Sequence, residues 1–328
     1  MLKQFCLTFS KAVFFKTAFF IAGISLLTAC NNTEPSYAFI TNQLSDDLSV
    51  IDTTSQQVVK TIPIGHRPVG IATSQTGNIA FISNSEGQDI TLFDTALMQV
   101  TAHISVNGGP VGIATNHDGS IVYVADWFQH KISVIDSHKA KIISTIAVGK
   151  SPAGMVVDDS SHRLYVANRD DNTVMIIDTG SQQILQTITV GTAPFGLALS
   201  PNGETLYSVN VRSSDVSVID TELAKVSRTI NVGQWPYCAV VSPDGKHVYV
   251  TNQDDSTVSV IDTVNPTIIN TIDVGDSPEG IDITADGKFV YVSNWGDGSV
   301  SIINTDNYTI EKTLTTGKGS RAFGQFIR

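Results

Sequence analysis

The chain has 328 residues, of which 41% are hydrophobic and 16% are charged. This composition is typical of a folded globular protein and excludes a wholly disordered chain. The formal net charge is −11, and a field of that sign repels phosphate backbones, so it disfavours broad nucleic-acid binding.

The first 29 residues predict a signal peptide. Three lysines precede an apolar stretch from Ala18 to Ala29, which is too short to span a bilayer comfortably as a mature helix. The stretch ends in Leu27-Thr28-Ala29-Cys30, which resembles the bacterial lipoprotein signal motif. We therefore expect residues 1–29 to be removed, Cys30 to carry a lipid, and residues 30–36 to form a lipid-anchored tether. An ordinary secretory signal that contains a cysteine is the alternative.

Removal of the signal peptide would change the net charge of the chain and the number of its cysteines. Without the signal peptide, 17 basic residues face 31 acidic ones, a net charge of −14. Cys238 would be the only cysteine apart from Cys30, so no intrachain disulfide is expected in spite of an oxidising compartment. The predicted location is the bacterial cell envelope, facing the periplasm or the cell exterior.

From Asp52 onward the sequence repeats every 42 residues, seven times, without an insertion or deletion. Each unit contains four stretches of alternating apolar and polar residues, which predict four β-strands. Turn dipeptides such as Asn202-Gly203 and Asp244-Gly245 separate the first two strands of a unit and predict tight hairpins. A fixed period of this length is typical of a stacked or radial repeat. Its marker tripeptide recurs as Ile51-Asp52-Thr53, Phe93-Asp94-Thr95, Ile135-Asp136-Ser137, Ile177-Asp178-Thr179, Ile219-Asp220-Thr221, Ile261-Asp262-Thr263 and Ile303-Asn304-Thr305.

The phase of the repeat predicts a closed ring. The repeated region begins in the second strand of a unit, at Tyr37, and ends with an unaccompanied first strand, Arg321 to Arg328. If that strand completes the N-terminal unit, no sheet edge is left open. We therefore predict an all-β fold over residues 37–328: a monomeric seven-bladed β-propeller with four antiparallel strands per blade, in which the C-terminal strand completes the N-terminal blade.

Several segments also carry a family resemblance. The segment from Tyr249 to Asn252, the run from Ser256 to Thr263 and the loop from Val274 to Pro278 resemble the YVTN-type β-propeller repeat of bacterial and archaeal exported proteins. The resemblance covers about 290 residues and implies the fold. For function it implies only a range, because related propellers include lactonase-like hydrolases, accessory proteins of periplasmic redox enzymes, surface-layer proteins and a proposed single-strand DNA binder.

Positions that repeat in every unit are interpreted as structural. The Asp52 position and the Asn42 position are expected to form turns, and the aromatic Phe39 position is expected to pack between blades. The loop before each first strand reads Gly-x-x-Pro-x-Gly. No helix follows it, so a phosphate-binding loop is excluded.

Unrepeated residues in two loops per unit predict a binding face. All three tryptophans of the chain lie there, together with arginines and histidines that have no equivalent in other units. Aromatic and arginine residues on one concave face are typical of binding surfaces. The predicted face comprises His66, Arg67, Trp127, Phe128, His130, Arg169, Phe195, Arg212, Trp235, Tyr237, Glu279, Trp295 and Arg321.

No cofactor is predicted, although calcium and haem remain alternatives. Paired carboxylates can bind calcium, yet beside Asn, Gly and Ser they more often form turns. Cys238 replaces a loop glycine and is interpreted as a small buried filler. The chain has no Cys-x-x-Cys-His haem motif, no zinc helix and no nucleophile elbow. The calcium candidates are Asp170, Asp171, Asp254 and Asp255.

The favoured function is a membrane-tethered, non-enzymatic propeller that binds an envelope protein, a glycan or a small ligand through this face. The enzyme alternative is a lactonase-like hydrolase at the channel mouth, with His66, Glu279 and Arg321 as its polar groups. A third reading is an accessory subunit of a periplasmic redox or haem-related system. The fourth is a single-strand DNA binder, which would need Arg67, Arg169, Arg212 and Arg321 to form one basic patch.

Overall fold

The computed structural model describes residues 36–328, which form seven antiparallel sheets arranged as blades. The inner strands are β4 (Pro68–Thr73), β8 (Pro110–Thr115), β12 (Pro152–Asp158), β16 (Pro194–Leu199), β20 (Pro236–Val241), β24 (Pro278–Ile283) and β28 (Phe323–Gln325). The second strands are β1 (Tyr37–Asn42), β5 (Ile79–Asn84), β9 (Ile121–Asp126), β13 (Arg163–Asn168), β17 (Thr205–Asn210), β21 (His247–Asn252) and β25 (Phe289–Asn294). The third strands are β2 (Asp47–Asp52), β6 (Asp89–Asp94), β10 (Lys131–Asp136), β14 (Thr173–Asp178), β18 (Asp215–Asp220), β22 (Thr257–Asp262) and β26 (Ser299–Asn304). The outer strands are β3 (Gln57–Pro63), β7 (Gln99–Ser105), β11 (Lys141–Ala147), β15 (Ile184–Thr189), β19 (Lys225–Asn231), β23 (Thr267–Asp273) and β27 (Thr309–Thr315).

The C-terminal segment closes the ring, as the phase of the repeat predicts. It runs antiparallel to β1, and the amide of Phe39 donates to the carbonyl of Phe326 at 2.9 Å while the amide of Arg321 donates to that of Thr41 at 2.8 Å. Its short strand β28 also pairs in parallel with β4 of the next blade. The predicted seven-bladed fold is therefore confirmed.

The repeated side chains hold the blades together. At the marker position, the Asp52 carboxylate accepts the amide of Ser55 at 2.7 Å, and the same turn recurs at Asp136 and Asp220. The aromatic residues that repeat at the Phe39 position are all buried and pack against apolar residues of the adjacent blade. These two interpretations are confirmed.

The asparagines at the Asn42 position do more than form turns. Asn84, the last residue of β5, donates from its amide to Asp89 at 2.6 Å and to Thr91 at 2.8 Å, so it ties the second strand to the third. A Cβ at Gly65 would clash with this buried amide. The first glycine of the loop motif is therefore needed because the asparagine fills the space beside it.

The loops lie on two opposite faces. The loop before each inner strand and the loop after each second strand meet on one side, as where the amide of Trp127 donates to the carbonyl of Gly109; we call it the loop face. The remaining hairpins form the hairpin face, where the amide of Thr95 donates to the carbonyl of Asn78.

The predicted signal peptide and Cys30 lie outside the described residues. Strand β1 begins at the hairpin face, at Tyr37. Over residues 36–328, no helix is long and apolar enough to cross a bilayer.

Candidate functional site

One position on the inner strands carries the largest departure from the repeat. In six blades it is the second residue of the strand, and its equivalent in the closing segment, Arg321, lies two residues before β28. Three blades place small aliphatic residues there and four consecutive blades do not. Around the ring the residues are Val69, Val111, Ala153, Phe195, Tyr237, Glu279 and Arg321.

Glu279, Arg321 and Tyr237 form one polar network at the loop-face end of the channel. Arg321 Nε lies 2.7 Å from Glu279 Oε2, and Arg321 Nη2 donates to the Tyr237 hydroxyl at 2.6 Å. Glu279 Oε1 accepts a hydrogen bond from the side-chain amide of Gln253 at 2.7 Å. The side chain of Glu279 is 5% exposed and that of Arg321 is 18% exposed. The Nε and Oε2 atoms are buried, yet neither makes a well-aligned hydrogen bond.

Burial and pairing shift the pKa values of these groups. Burial raises the pKa of Glu279, and the Arg321 guanidinium opposes that rise. For Arg321, burial alone would lower the pKa, but the Glu279 carboxylate and Tyr237 raise it above its usual value. Burial also raises the pKa of the Tyr237 hydroxyl. The Arg321 guanidinium thus favours the carboxylate form of Glu279, whereas burial disfavours it.

Aromatic rings pack beside this network. The rings of Phe195 and Tyr237 lie 4.2 Å apart between centroids, and those of Phe195 and Phe323 lie 4.8 Å apart. The ring centroid of Trp127, in the loop after β9, lies 6.2 Å from that of Phe195, and the guanidinium of Arg169 lies 5.6 Å from the Trp127 ring. These five residues, with Glu279 and Arg321, form what we call the mouth cluster.

A cavity of about 590 Å³ lies inside the ring below the mouth cluster. Gly196, Cys238 and Phe323 line its end towards the loop face, and Ser36, Gln75 and Ser200 line its end towards the hairpin face. The mouth cluster therefore separates the cavity from the loop face. Cys238 is buried and burial raises the pKa of its thiol, in agreement with its interpretation as a filler.

The loop face carries exposed aromatic residues around the mouth cluster. Phe128 is 74% exposed and Trp235 is 54% exposed. Asp126 accepts the amide of Phe128 at 3.1 Å and so fixes the loop that presents it. The exposed Arg212 comes from the blade between those that carry Arg169 and Trp235. Phe128, Arg169, Arg212 and Trp235 thus come from four consecutive blades; we call them the rim, which shares Arg169 with the mouth cluster.

The other predicted residues are engaged elsewhere on the loop face. His66 Nδ1 lies 2.9 Å from Asp46 and its Nε2 lies 3.2 Å from Glu86, while Arg67 Nε lies 3.5 Å from the same Glu86. His66 therefore pairs with these two carboxylates rather than with Glu279 and Arg321.

His130 and Trp295 join neighbouring blades. His130 accepts the amide of Ser151 at 3.2 Å, and the indole of Trp295 donates to Gln43 at 3.0 Å. Both side chains thus link loops across a blade boundary.

Three of the four carboxylates proposed as calcium ligands are hydrogen-bonded within the loops, and for Asp254 only the backbone amide is bonded, to the carbonyl of Gln234. Asp170 accepts from Ser151 at 2.6 Å, Asp171 accepts the amide of Lys150 at 2.7 Å, and Asp255 accepts the amide of Gln234 at 2.7 Å. Within residues 36–328, no group of three or more His, Cys, Asp or Glu side chains is placed to hold a metal ion.

The sequence analysis named Phe195, Tyr237, Glu279 and Arg321 as separate loop residues, but it did not recognise that they share one position of the repeat, and it did not name Phe323 or Gln253. An alignment of the seven repeats would have revealed this position, because three repeats have Val or Ala there and the other four do not. Phe323 and Gln253 carry no such signal, since their roles depend on which blades become neighbours.

Comparison with known proteins supports the fold. The family model described as a YNCE-like beta-propeller matches residues 76–163, and the model described as a cytochrome D1 heme domain matches residues 205–321. No curated protein sequence matches the chain.

Many solved structures resemble this chain, and two of them serve as examples. The first, hydrazine synthase from Kuenenia stuttgartiensis, has 24% identity and a TM-score of 0.71, covering 77% of this chain and 87% of that one. The second, a functionally unknown protein from Desulfotomaculum acetoxidans DSM 771, has 16% identity and a TM-score of 0.77, covering 87% and 97% respectively. At these identities the likeness shows the fold alone. The chain is a seven-bladed β-propeller, and residues 76–163 resemble the YNCE-like beta-propeller family.

The residues around the channel do not fit a haem group. Haem iron takes a histidine, a cysteine thiolate or a tyrosine as its axial ligand, and methionine serves together with a histidine. No histidine lines the cavity in the described part of the chain, where Cys238 and Met155 offer the sulfur atoms. The raised pKa of Cys238 keeps its thiol protonated, and the Tyr237 hydroxyl is held by Arg321.

Proposed function

We propose that the propeller is a binding component whose site is the loop face, with the mouth cluster as its centre and the rim as its contact surface. One observation carries the proposal: the Glu279–Arg321 pair replaces the Val or Ala that serves the same position in three blades. A buried ion pair is rarely more stabilising than apolar residues of similar volume. The pair is therefore better explained by a partner than by the fold.

The partner is proposed to be an envelope protein, a glycan or a small molecule that offers a ring or apolar surface together with hydrogen-bonding groups. Exposed aromatic residues beside arginines supply most of the binding energy in many protein interfaces. Phe128 and Trp235 provide the aromatic contacts, and Arg169 and Arg212 provide donors between them. The experiment that tests the proposal is capture of a partner by rim variants, described at the end of the Discussion.

We also propose that the protein is exported and anchored by a lipid at Cys30. The lipoprotein-like sequence before Cys30 supports this, as does a fold with a single described cysteine, Cys238, and no need of a disulfide. Metabolic labelling with a radioactive fatty acid tests it. A Cys30→Ser variant that still incorporates label would contradict the anchor.

A second candidate function is an accessory role beside a periplasmic redox or haem-related enzyme. The match of residues 205–321 to a haem-domain model supports this class. Because the cavity lining does not fit haem, the role proposed is docking to a redox partner through the same loop face. Soret absorbance during titration with haem tests the distinction, and a stoichiometric shift would contradict a docking role without haem.

The lactonase-like alternative has weaker support. It needs His66, Glu279 and Arg321 to act together, whereas His66 pairs with Asp46 and Glu86. A single-strand DNA site would need a basic patch, and Arg67 and Arg169 each pair with a carboxylate instead.

A further inference from the structure

The blade of strands β8 to β11 contributes two loops to the loop face, and both depart from the repeat. Asp126 stands where the other six blades have asparagine, and Asn107 stands where the other six have glycine. The two positions adjoin, because a Cβ at Gly65 in the preceding blade would clash with Asn84. The change at one position is therefore matched by a change at the other.

Asp126 holds the loop that follows β9. Its Oδ1 accepts the amides of Phe128 at 3.1 Å, Gln129 at 3.0 Å and Gly109 at 3.4 Å. An ionised carboxylate has no proton to donate, so Asp126 does not tie its strand to the third strand as Asn84 does. The Asp126 side chain therefore serves the loop instead of the strand pair.

The Asp126 carboxylate replaces a bond between facing loops. In five of the other six blades, the residue at the Phe128 position donates its amide to a carbonyl of the loop before the inner strand, as Arg212 donates to Thr192 at 3.1 Å. The amide of Phe128 donates to Asp126 instead. The backbone at Phe128 is therefore held by the end of β9 rather than by the facing loop.

The Phe128 ring lies over Gly109. A Cβ added at Gly109 would be 2.5 Å from the ring, and five of the other six blades have a side chain at this position. The side-chain amide of Gln129 donates to the carbonyl of Asn107 at 2.6 Å and joins the two loops. Phe128 is nevertheless 74% exposed. Its ring thus has backbone on one side and solvent elsewhere.

A ring presented in this way fits a concave protein surface. Aromatic side chains contribute most to binding when they fill well-packed pockets that exclude water. Holding the ring in place before binding reduces the entropy lost on association. A sugar or a small molecule covers one face of an aromatic ring, whereas a side chain that is 74% exposed is enclosed only by a concave partner. The phenyl ring has no hydrogen-bonding group, so the complementary pocket is apolar.

We propose that Phe128 is the anchor of the loop face and inserts its ring into an apolar pocket of a partner protein. Asp126 and Gly109 are positioning residues: the carboxylate fixes the loop, and the missing side chain leaves room for the ring. The inference rests on the proposed binding role of the loop face. It names a protein, rather than a glycan or a small molecule, as the partner.

The test uses the full chain with photoreactive p-benzoyl-phenylalanine in place of Phe128, Trp235 or Leu97, one at a time, illuminated in detergent-solubilised envelopes. Position 128 should crosslink to a peptide of another protein, mapped by mass spectrometry to an apolar site, and position 97 on the hairpin face should not. A protein crosslink at position 235 without one at 128, or a glycan attached at 128, would overturn the inference and leave the loop-face function standing. No crosslink at either rim position would overturn both.

Two further variants test the positioning residues. Gly109→Ala should displace the ring and lower the crosslinking yield at position 128 at least about fivefold, with an unchanged melting temperature. Gly180→Ala is its control, because the nearest atom to its Cβ is 3.5 Å away. Asp126→Ala should also lower the yield, whereas Asp94→Ala, which removes an acceptor of two loop amides on the hairpin face, should not. Should Asp126→Ala fail to fold, Gly109→Ala decides alone, because it moves an exposed side chain. An unchanged yield in Gly109→Ala would overturn the positioning roles.

Discussion

Arg321 Nε lies 2.7 Å from Glu279 Oε2, across the junction between the segment that closes the ring and the inner strand of the adjacent blade. The ion pair thus joins the last blade to the segment that completes the N-terminal blade, on the loop-face side of the channel. Its position couples the closure of the fold to the centre of the proposed binding site.

Removing one partner of this pair should destabilise the protein far more than removing both. Arg321→Met leaves Glu279 buried without its cation, so we expect a loss of about 3–5 kcal/mol in the free energy of unfolding. The double variant Glu279→Val with Arg321→Met places apolar residues where other blades have Val69 and Val111, and should lie within about 1 kcal/mol of wild type. Urea unfolding measures the free energy of unfolding of the wild type, of Arg321→Met and of the double variant. A double variant as unstable as Arg321→Met would mean that the pair is required by the fold.

Strand β16 should not tolerate a side chain at Gly196, although two other blades have Cys238 and Ala322 at the equivalent position. A Cβ added at Gly196 would lie 2.6 Å from the carbonyl oxygen of Tyr237 in the next blade. We expect Gly196→Ala to cost about 1–3 kcal/mol through overpacking. Gly180→Ala is the matched control, because the nearest atom to its Cβ is 3.5 Å away. Thermal unfolding compares them, and equal midpoints would contradict the close approach of the inner strands.

The buried Asp282 should make stability depend on pH in a defined direction. Its pKa is raised to about 6 in the folded protein, from 3.8 in the unfolded chain. The folded state therefore binds the proton more tightly, and this contribution to stability is present below about pH 4 and lost as the pH rises through about 6.

The difference in unfolding free energy between wild type and Asp282→Asn isolates this effect. Relative to the variant, the wild type should lose about 2–3 kcal/mol between pH 4 and pH 7. A difference that does not change with pH would show that Asp282 titrates normally.

His66 should titrate above the usual range for histidine. Its hydrogen bond to Asp46 raises the pKa of the ring, and the nearby charge of the same carboxylate adds to the rise. Nuclear magnetic resonance titration of the His66 ring protons should give a raised pKa in the wild type and a lower one in Asp46→Asn. An unchanged value in the variant would show that Asp46 does not hold His66.

The sequence predicted the fold in detail because every blade obeys the same local rules. The Asp52 turns, the Phe39 aromatic position and the phase of the C-terminal strand each repeat or complete a pattern. The site was predicted less well. Phe195, Tyr237, Glu279 and Arg321 were placed on one face by their loops, but their contacts depend on how the inner strands converge.

Two features could not be predicted from the sequence. The position of Asp282 beside Phe326 and Ile327 arises only when the last blade meets the closing segment. The pairing of His66 with Asp46 and Glu86 likewise depends on the contact between two blades. Both contacts involve residues that are distant in sequence or lie in separate loops, where no repeated pattern applies.

Capture of a partner by immobilised propeller from detergent-solubilised envelopes tests the central claim most directly. The rim variant Phe128→Ser with Trp235→Ser is compared with Leu97→Ser with Leu223→Ser, which removes side chains that are 64% and 60% exposed on the hairpin face. Both variants change exposed residues, so each should keep the wild-type melting temperature. We predict that a partner retained by the wild type is retained by the hairpin-face variant and lost by the rim variant. Equal retention by all three proteins would contradict binding through the loop face.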